Sequence, residues 1–181
     1  MNKAVVGFSA VVVTLGSSFA FADDREGFFL AGGIGLNTNT FEASYAGDSA
    51  SESGYRGILT SFKIGGHINP NFALYYQREA SFFDDEEGTG AVAGLSGIGG
   101  TYYFDTSGGL YIEGGLGLGD FTVDEANLEG IGGASMVGLG AEINDHLEGG
   151  VVLMATSTEE TELDGLEYDT LTIGVKLTLK L

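Results

Sequence analysis

The sequence predicts an all-β fold, an eight-stranded antiparallel up-and-down transmembrane β-barrel. Three features favour it: the alternation of the last strand, an even number of strand-like runs, and the separation of long connections from short ones. In the run 168–181, aliphatic side chains alternate without a break with Thr, Gly and Lys from Thr170 to Leu181. Period two over this length indicates a strand with one apolar and one polar face. Lipid outside and a polar lumen inside fit this pattern, although an edge strand of a soluble sandwich or of a lipocalin-like barrel has the same period.

Seven further runs precede this strand, and long and short connections alternate between them. Membrane barrels have even strand numbers, short turns at one end and longer loops at the other, whereas a soluble sandwich has no reason to separate them. Most of the acidic residues fall in the long connections. The alternation in the fourth run is too poor to show which of its residues face outward and which face inward. The predicted strands are residues 27–37, 57–68, 72–79, 91–104, 110–119, 130–143, 147–155 and 168–181, and the long connections are residues 38–56, 80–90, 120–129 and 156–167.

Composition excludes several classes of protein. The chain has 181 residues, no Cys and a formal net charge of −19. The missing thiols rule out disulfides and thiolate metal sites, and the charge argues against nucleic acid as a partner. Mean hydropathy is nevertheless positive, at +0.15. Disordered acidic chains lack such apolar content, so the sequence favours a folded protein.

The first 22 residues have the features of a cleaved secretory signal peptide. Lys3 supplies the positive charge, residues 4–15 form a short apolar run, and Ala20-Phe21-Ala22 matches an A-x-A cleavage site. No other stretch approaches 18 apolar residues, which excludes a helical membrane protein. We therefore expect export, followed by one barrel domain over residues 23–181.

Three segments carry a family resemblance. The ending Thr172-x-Gly174-x-x-Leu177-x-Leu179, closed by Leu181, resembles the C-terminal assembly signal of bacterial outer-membrane proteins, although those commonly end on an aromatic residue. Residues 139–148 and 65–74 resemble strand–turn–strand segments of the small eight-stranded outer-membrane barrels, the OmpA-type β-barrel domain and its OmpX- and OmpW-like relatives. The resemblance implies the outer membrane of a Gram-negative bacterium and recognition by the outer-membrane assembly machinery.

Ionisable side chains on the predicted inner faces are the candidate site. An eight-stranded barrel has an interior that side chains can fill, and buried charges there must pair. We expect two ionic layers: Glu113 with Lys63 or Lys176 near mid-barrel, and Glu148 or Glu142 with Lys180 near the short turns. Such pairs form either a closed polar plug or a gate that passes ions. His67 and Glu79 share the same inner faces.

Catalysis has little support in the sequence. Enzymatic barrels that act on lipid need a base at the outer leaflet, but the only histidines, His67 and His146, lie beside short connections. The glycine strings at residues 32–35 and 114–119 lack the helix and Lys of a phosphate loop, so we read them as places where a narrow barrel bends. The acidic run at residues 84–87 offers oxygen ligands for a divalent cation without the spacing of an EF-hand.

We therefore predict a non-enzymatic, cofactor-free outer-membrane barrel with a structural or surface-interaction role exerted through acidic extracellular loops. A narrow porin-like channel is the alternative, followed by a lipid A-modifying enzyme. Expected partners are outer-membrane lipid and lipopolysaccharide, the assembly machinery and divalent cations at the acidic loops, with the protein a monomer. We expect an aromatic girdle near the short turns, formed by Phe28, Phe72, Tyr102, Tyr103, Phe104 and Tyr111.

Overall fold

The structure, a computed structural model, describes residues 25, 27–46, 48–84, 89–106, 109–123, 128–160 and 165–181. These residues form a closed barrel in which each strand pairs antiparallel with its sequence neighbours and the first strand pairs with the last. The predicted eight-stranded up-and-down barrel is thereby confirmed. The strands are β1 (Gly27–Tyr45), β2 (Asp48–Asn69), β3 (Phe72–Asp84), β4 (Gly90–Tyr103), β5 (Leu110–Val123), β6 (Leu128–Asn144), β7 (Leu147–Glu160) and β8 (Leu166–Lys180).

Strand stagger sets the width of the barrel. Following the paired residues once around from Ala31 of β1 leads back to β1 at Phe41, ten residues further along. For eight strands, a stagger of this size corresponds to a tilt of about 40° and an interior that side chains fill. Gly97 and Gly117 face each other across β4 and β5, where a Cβ on either would lie within 2.2 Å of a carbonyl oxygen of the facing strand. Both positions therefore require glycine.

The strands extend further than their apolar residues predict. Residues 38–45 and 48–56, expected within a long loop, continue the β1–β2 ladder to the pair Tyr45–Asp48. The other three predicted long loops also shorten, because β3, β5 and β7 continue to Asp84, Val123 and Glu160. The predicted loops were wrong in extent because backbone pairing continues where the apolar face ends. Many acidic residues assigned to loops are therefore strand residues.

The barrel has two chemically different ends. One end carries the connections 70–71, 104–109 and 145–146 together with Leu181, and we call it the turn end. The acidic end has connections 46–47, 85–89, 124–127 and 161–165. The predicted alternation of long and short connections does not hold, since only two residues join β1 to β2 while six join β4 to β5.

An apolar belt covers the outer wall. On β8, Leu171, Ile173, Val175, Leu177 and Leu179 all point outward and are 41–55% exposed. The same pattern continues on the other strands, and on β4 it settles the undefined parity by placing Ile98 and Tyr102 outside. Other exposed members of the belt are Phe28, Ile34, Leu36, Ile58, Phe62, Ile64, Leu74, Tyr76, Ile112, Leu116, Leu118, Val137, Leu139 and Val151.

Two members of the expected aromatic girdle lie inside the barrel rather than on its outer surface. Tyr103 and Tyr111 are buried inside the barrel, whereas Phe28, Tyr102 and Phe104 are exposed at the turn end. Their parity explains the difference, because Tyr111 shares the inner face of β5 with Glu113.

No helix in the described part of the chain is long and apolar enough to cross a membrane. The predicted signal peptide, residues 1–22, lies outside the described residues.

Candidate functional site

The barrel interior is built in layers, and the inner face of β2 shows their order. From the turn end it carries His67, Lys63, Ser61, Leu59 and Tyr55. Because alternate residues of each strand point inward, side chains of similar height from different strands meet at the axis. The result is a terminal ionic layer, a central ionic layer, an apolar layer, an amide–hydroxyl layer and an aromatic cap.

The central ionic layer contains two lysines and two glutamates. Lys63 contacts Glu113, and Lys176 lies 2.9 Å from the same carboxylate. Lys176 also lies 2.8 Å from Glu79, which accepts a hydrogen bond from Ser61. All four charged side chains are buried. Their charges balance, so the layer avoids a net buried charge, whose desolvation would be costly.

The sequence-predicted residues at the turn end also come together. The Lys180 ammonium lies 3.1 Å from both Glu142 and Glu148. Tyr103 donates a hydrogen bond to Glu148 at 2.9 Å. Arg25 completes the layer: it contacts Glu142, and its guanidinium lies 4.2 Å from the centre of the Tyr103 ring.

We expect Glu148→Gln and Lys180→Met to be energetically coupled. Each single change leaves a charge without its partner, so the double variant should lose less stability than the two single losses added together. Urea titrations of the four proteins refolded into lipid vesicles give the coupling energy, which we expect at about 1 kcal/mol or more. A coupling of zero would show that Glu142 alone satisfies Lys180.

An apolar layer follows the central ionic layer. Leu59 of β2, Leu95 of β4, Met136 of β6 and Met154 of β7 are at most 2% exposed and pack together with Val152 and Ala134. Side chains from four strands thus meet across the lumen. The side chains of this layer have no polar group that could replace the water molecules around a passing ion.

Toward the acidic end, polar side chains and then aromatic rings fill the interior. Asn37 and Asn39 bond to Ser81, and Thr172 donates to Asn39 at 2.6 Å. Above them Phe41 stacks on Phe121 and on Tyr168, and the rings of Phe121 and Tyr168 are tilted to each other, with all three ring centroids 5.0–5.7 Å apart. Three strands, β1, β5 and β8, supply these rings.

Sequence reasoning missed the aromatic cap and Arg25. Phe41 and Phe121 fall within the predicted loops, but each lies an even number of residues from an inward residue of its strand, Asn39 and Glu113 respectively. Extending the alternation by a few residues would have found both rings. For Arg25, nothing in the sequence pattern indicates that it reaches Glu142 and the carbonyl of Pro70.

A further unpredicted contact lies on the outside of the wall. Arg78 of β3 forms a two-point ion pair with Asp120 of β5, and it donates to Ser96 of β4 at 3.1 Å. Gly94 lies beneath the guanidinium, where a Cβ would come within 2.6 Å of both terminal nitrogens. The signal for Arg78 was its parity, which it shares with the outward Leu74 and Tyr76.

The proposed assembly-signal residues occupy both faces of β8. Thr172 is fully buried and Gly174 packs near Leu59, whereas Leu177, Leu179 and Leu181 point outward. Leu181 exchanges two backbone hydrogen bonds with Leu30 of β1, which closes the barrel.

The two histidines lie at the turn end. His67 packs between the rings of Phe29 and Tyr103, and His146 is in the turn between β6 and β7. Within the described ranges, no group of three or more His, Asp or Glu side chains is placed to hold a metal ion. Three of the four acidic residues proposed for a divalent cation, residues 85–87, lie outside the described residues.

Known structures share this architecture. The attachment invasion locus protein Ail of Yersinia pestis superposes with a TM-score of 0.53 at 13% identity, over 83% of this chain and 98% of that one. The outer membrane protein AlkL, solved in DMPC lipid bilayers, gives 0.50 at 15% identity, over 91% and 95%. No protein-family model and no curated protein matches the sequence. The chain has the fold of the small eight-stranded outer-membrane β-barrels.

Proposed function

We propose that this protein spans the outer membrane of a Gram-negative bacterium, with its acidic end outside the cell and its turn end in the periplasm. The exposed apolar belt carries this proposal. Exposed aliphatic and aromatic side chains lie on outward positions of every strand. Contact with water disfavours such a surface, and contact with hydrocarbon favours it. The buried ionic layers support it too, because they put the polar side chains on the inside.

Within the membrane the barrel acts as a closed scaffold rather than a channel. The apolar layer around Leu59 and Met154 and the aromatic cap around Phe121 both fill the lumen, and both ionic layers are charge-paired. A narrow porin-like channel would require all of them to move.

The acidic end is the proposed interaction surface. The β1–β2 hairpin carries Glu42, Asp48 and Glu52 beyond the apolar belt on a paired ladder. Strand pairing holds these carboxylates in fixed relative positions, which suits recognition of a cationic surface or of divalent cations bridging to lipopolysaccharide. Lipid surrounds the belt, and the assembly machinery recognises the β8 residues Thr172, Gly174, Leu177, Leu179 and Leu181.

A lipid A-modifying enzyme fits the geometry poorly. His67 and His146 are at the turn end, so neither ring is near the outer leaflet in the proposed orientation. Mass analysis of lipid A from cells with and without the protein should show identical species.

Cysteine labelling on intact cells tests the orientation. The natural chain has no Cys, so one thiol can be introduced at a time. Ser51→Cys, in the exposed part of β2 at the acidic end, should react with a membrane-impermeant maleimide, whereas Asn71→Cys at the turn end should react only after lysis. The reverse pattern would invert the orientation, and labelling of both on intact cells would remove the membrane location.

Conductance in planar bilayers separates the scaffold from the channel. We expect the refolded protein to produce no stable single-channel steps, because the apolar layer has no polar lining to replace ion hydration. The folded state should be verified by circular dichroism on the same preparation. Reproducible steps of uniform size would favour the channel.

A further inference from the structure

The ion pair of Arg78 and Asp120 interrupts the apolar belt. Arg78 shares its outward face of β3 with Tyr76 toward the turn end and Phe82 toward the acidic end, and both rings are exposed. On β5, Asp120 follows the outward Leu116 and Leu118. Charged side chains facing hydrocarbon are costly and rare, and they usually mark a functional contact. This inference rests on the proposed membrane location.

Within the described part of the chain, the hydrogen-bonding groups of the pair are only partly satisfied. The guanidinium donates to both carboxylate oxygens of Asp120 and to the Ser96 hydroxyl. A guanidinium has five N–H donors and a carboxylate about four acceptor positions, so both groups keep hydrogen-bonding capacity. Their side chains are 34% and 37% exposed. Donors and acceptors therefore remain available on the outer side of the wall, where lipid chains offer neither.

Small residues lie between the two charged side chains, whereas the bulkier Phe62 and Ile131 are the cross-strand partners of Arg78 and Asp120 on the outer sides. Ala80 and Gly94 are paired neighbours on β3 and β4, and Ser96 lies two residues along. Because Gly94 lacks a Cβ, the guanidinium can lie against the strand rather than project from it. In membranes, such small residues permit the close approach of a second protein surface.

We propose that this face, centred on Arg78, Asp120 and Ser96, binds a second copy of the chain about a two-fold axis parallel to the membrane normal. A two-fold contact requires a patch that is complementary to itself. Side-by-side positive and negative groups satisfy this, because rotation places the guanidinium of one copy opposite the carboxylate of the other. Four charges then alternate in a ring.

Lipid is a less suitable occupant of this face. A headgroup phosphate would bond to the guanidinium but would be repelled by the adjacent carboxylate of Asp120. A second copy satisfies both groups at once. The proposed dimer differs from the monomer expected from the sequence.

The acidic ends oppose this association, since two chains of formal charge −19 repel each other. That repulsion acts through water and is screened beyond about 8–10 Å at physiological ionic strength. Within the apolar belt the contact would face hydrocarbon rather than water, so salt would screen it much less. Dimerisation should therefore increase with added NaCl, whereas an ion pair in water would weaken.

Crosslinking in lipid vesicles tests the contact. Ile98→Cys places a thiol on β4 next to Ser96, and Ile173→Cys places the matched thiol on β8, on the opposite side of the barrel; both isoleucines are exposed. With a short bismaleimide at high lipid-to-protein ratio, we expect about tenfold more dimer from Ile98→Cys. Adding Arg78→Leu and Asp120→Leu together should reduce that dimer about tenfold, since the wall becomes apolar.

A charge exchange provides the specific readout. One Ile98→Cys protein carries Arg78→Asp and another carries Asp120→Arg, so each has two like charges at the face. Neither should crosslink alone, whereas a mixture should restore the dimer. If the like-charged proteins do not fold, the double leucine variant decides by itself. Equal crosslinking at Ile98 and Ile173, or an undiminished dimer in the double leucine variant, would overturn the proposal without affecting the orientation tested at Ser51 and Asn71.

Discussion

Replacing Glu113 with Gln should destabilise the barrel by about 3–5 kcal/mol, the cost of leaving a buried charge without its partner. Glu113 accepts from both Lys63 and Lys176, so its loss leaves two buried ammonium groups to share Glu79. Gln preserves the size of the side chain, which separates the charge effect from a packing effect. Urea unfolding in lipid vesicles measures the loss.

Two further variants make this result interpretable. Glu167→Gln removes a carboxylate from an exposed position of β8 and should change stability by no more than about 0.5 kcal/mol. Combining Glu113→Gln with Lys63→Met leaves the Lys176–Glu79 pair, so much of the stability should return. If Glu113→Gln behaves like Glu167→Gln, the central ionic layer is hydrated, and the closed scaffold loses one of its supports.

The sequence was sufficient for the features that follow from alternation. Lys63, Glu113 and Lys176 are on inner faces, and Leu177 and Leu179 on outer faces, because a period of two fixes every side chain once one apolar face is recognised. The ion pairs themselves needed the stagger between strands, which alternation leaves open. If one strand were shifted by two residues against its neighbour, every side chain would keep its inward or outward face but would meet a different cross-strand partner.

What could not be predicted depends on backbone pairing and on three-dimensional proximity. Thr38 to Tyr45 lack aliphatic side chains of the kind that mark the start of β1. The alternation through Phe41 and Ala43 is short and does not by itself separate a strand from a loop, yet these residues pair residue by residue with β2. Arg78 and Asp120 are 42 positions apart and meet across an intervening strand at Gly94. Only the register of three strands brings them together.

The second large effect concerns the outer wall, where Leu177→Arg should cost about 2–4 kcal/mol when the protein refolds into lipid vesicles. Leu177 points outward in the middle of the β8 apolar face, with Val175 and Leu179 on either side, and is 52% exposed. Unlike Arg78, the new guanidinium would have no carboxylate on its facing outward neighbours, Gly149 of β7 and Ile34 of β1. Its charge would therefore remain unpaired in hydrocarbon.

Leu181→Arg is the matched control, because it changes the same residue type on the same face at similar exposure, 54%. Leu181 lies four residues lower, at the turn end, where an arginine reaches the interface and should cost only about 0–1 kcal/mol. Refolding without the assembly machinery removes any effect of the C-terminal signal from the comparison. A membrane barrel requires this dependence on depth, since the penalty comes from the hydrocarbon around the wall. Equal losses at Leu177 and Leu181 would mean that hydrocarbon does not surround the β8 face, and the proposed membrane location would have to be abandoned.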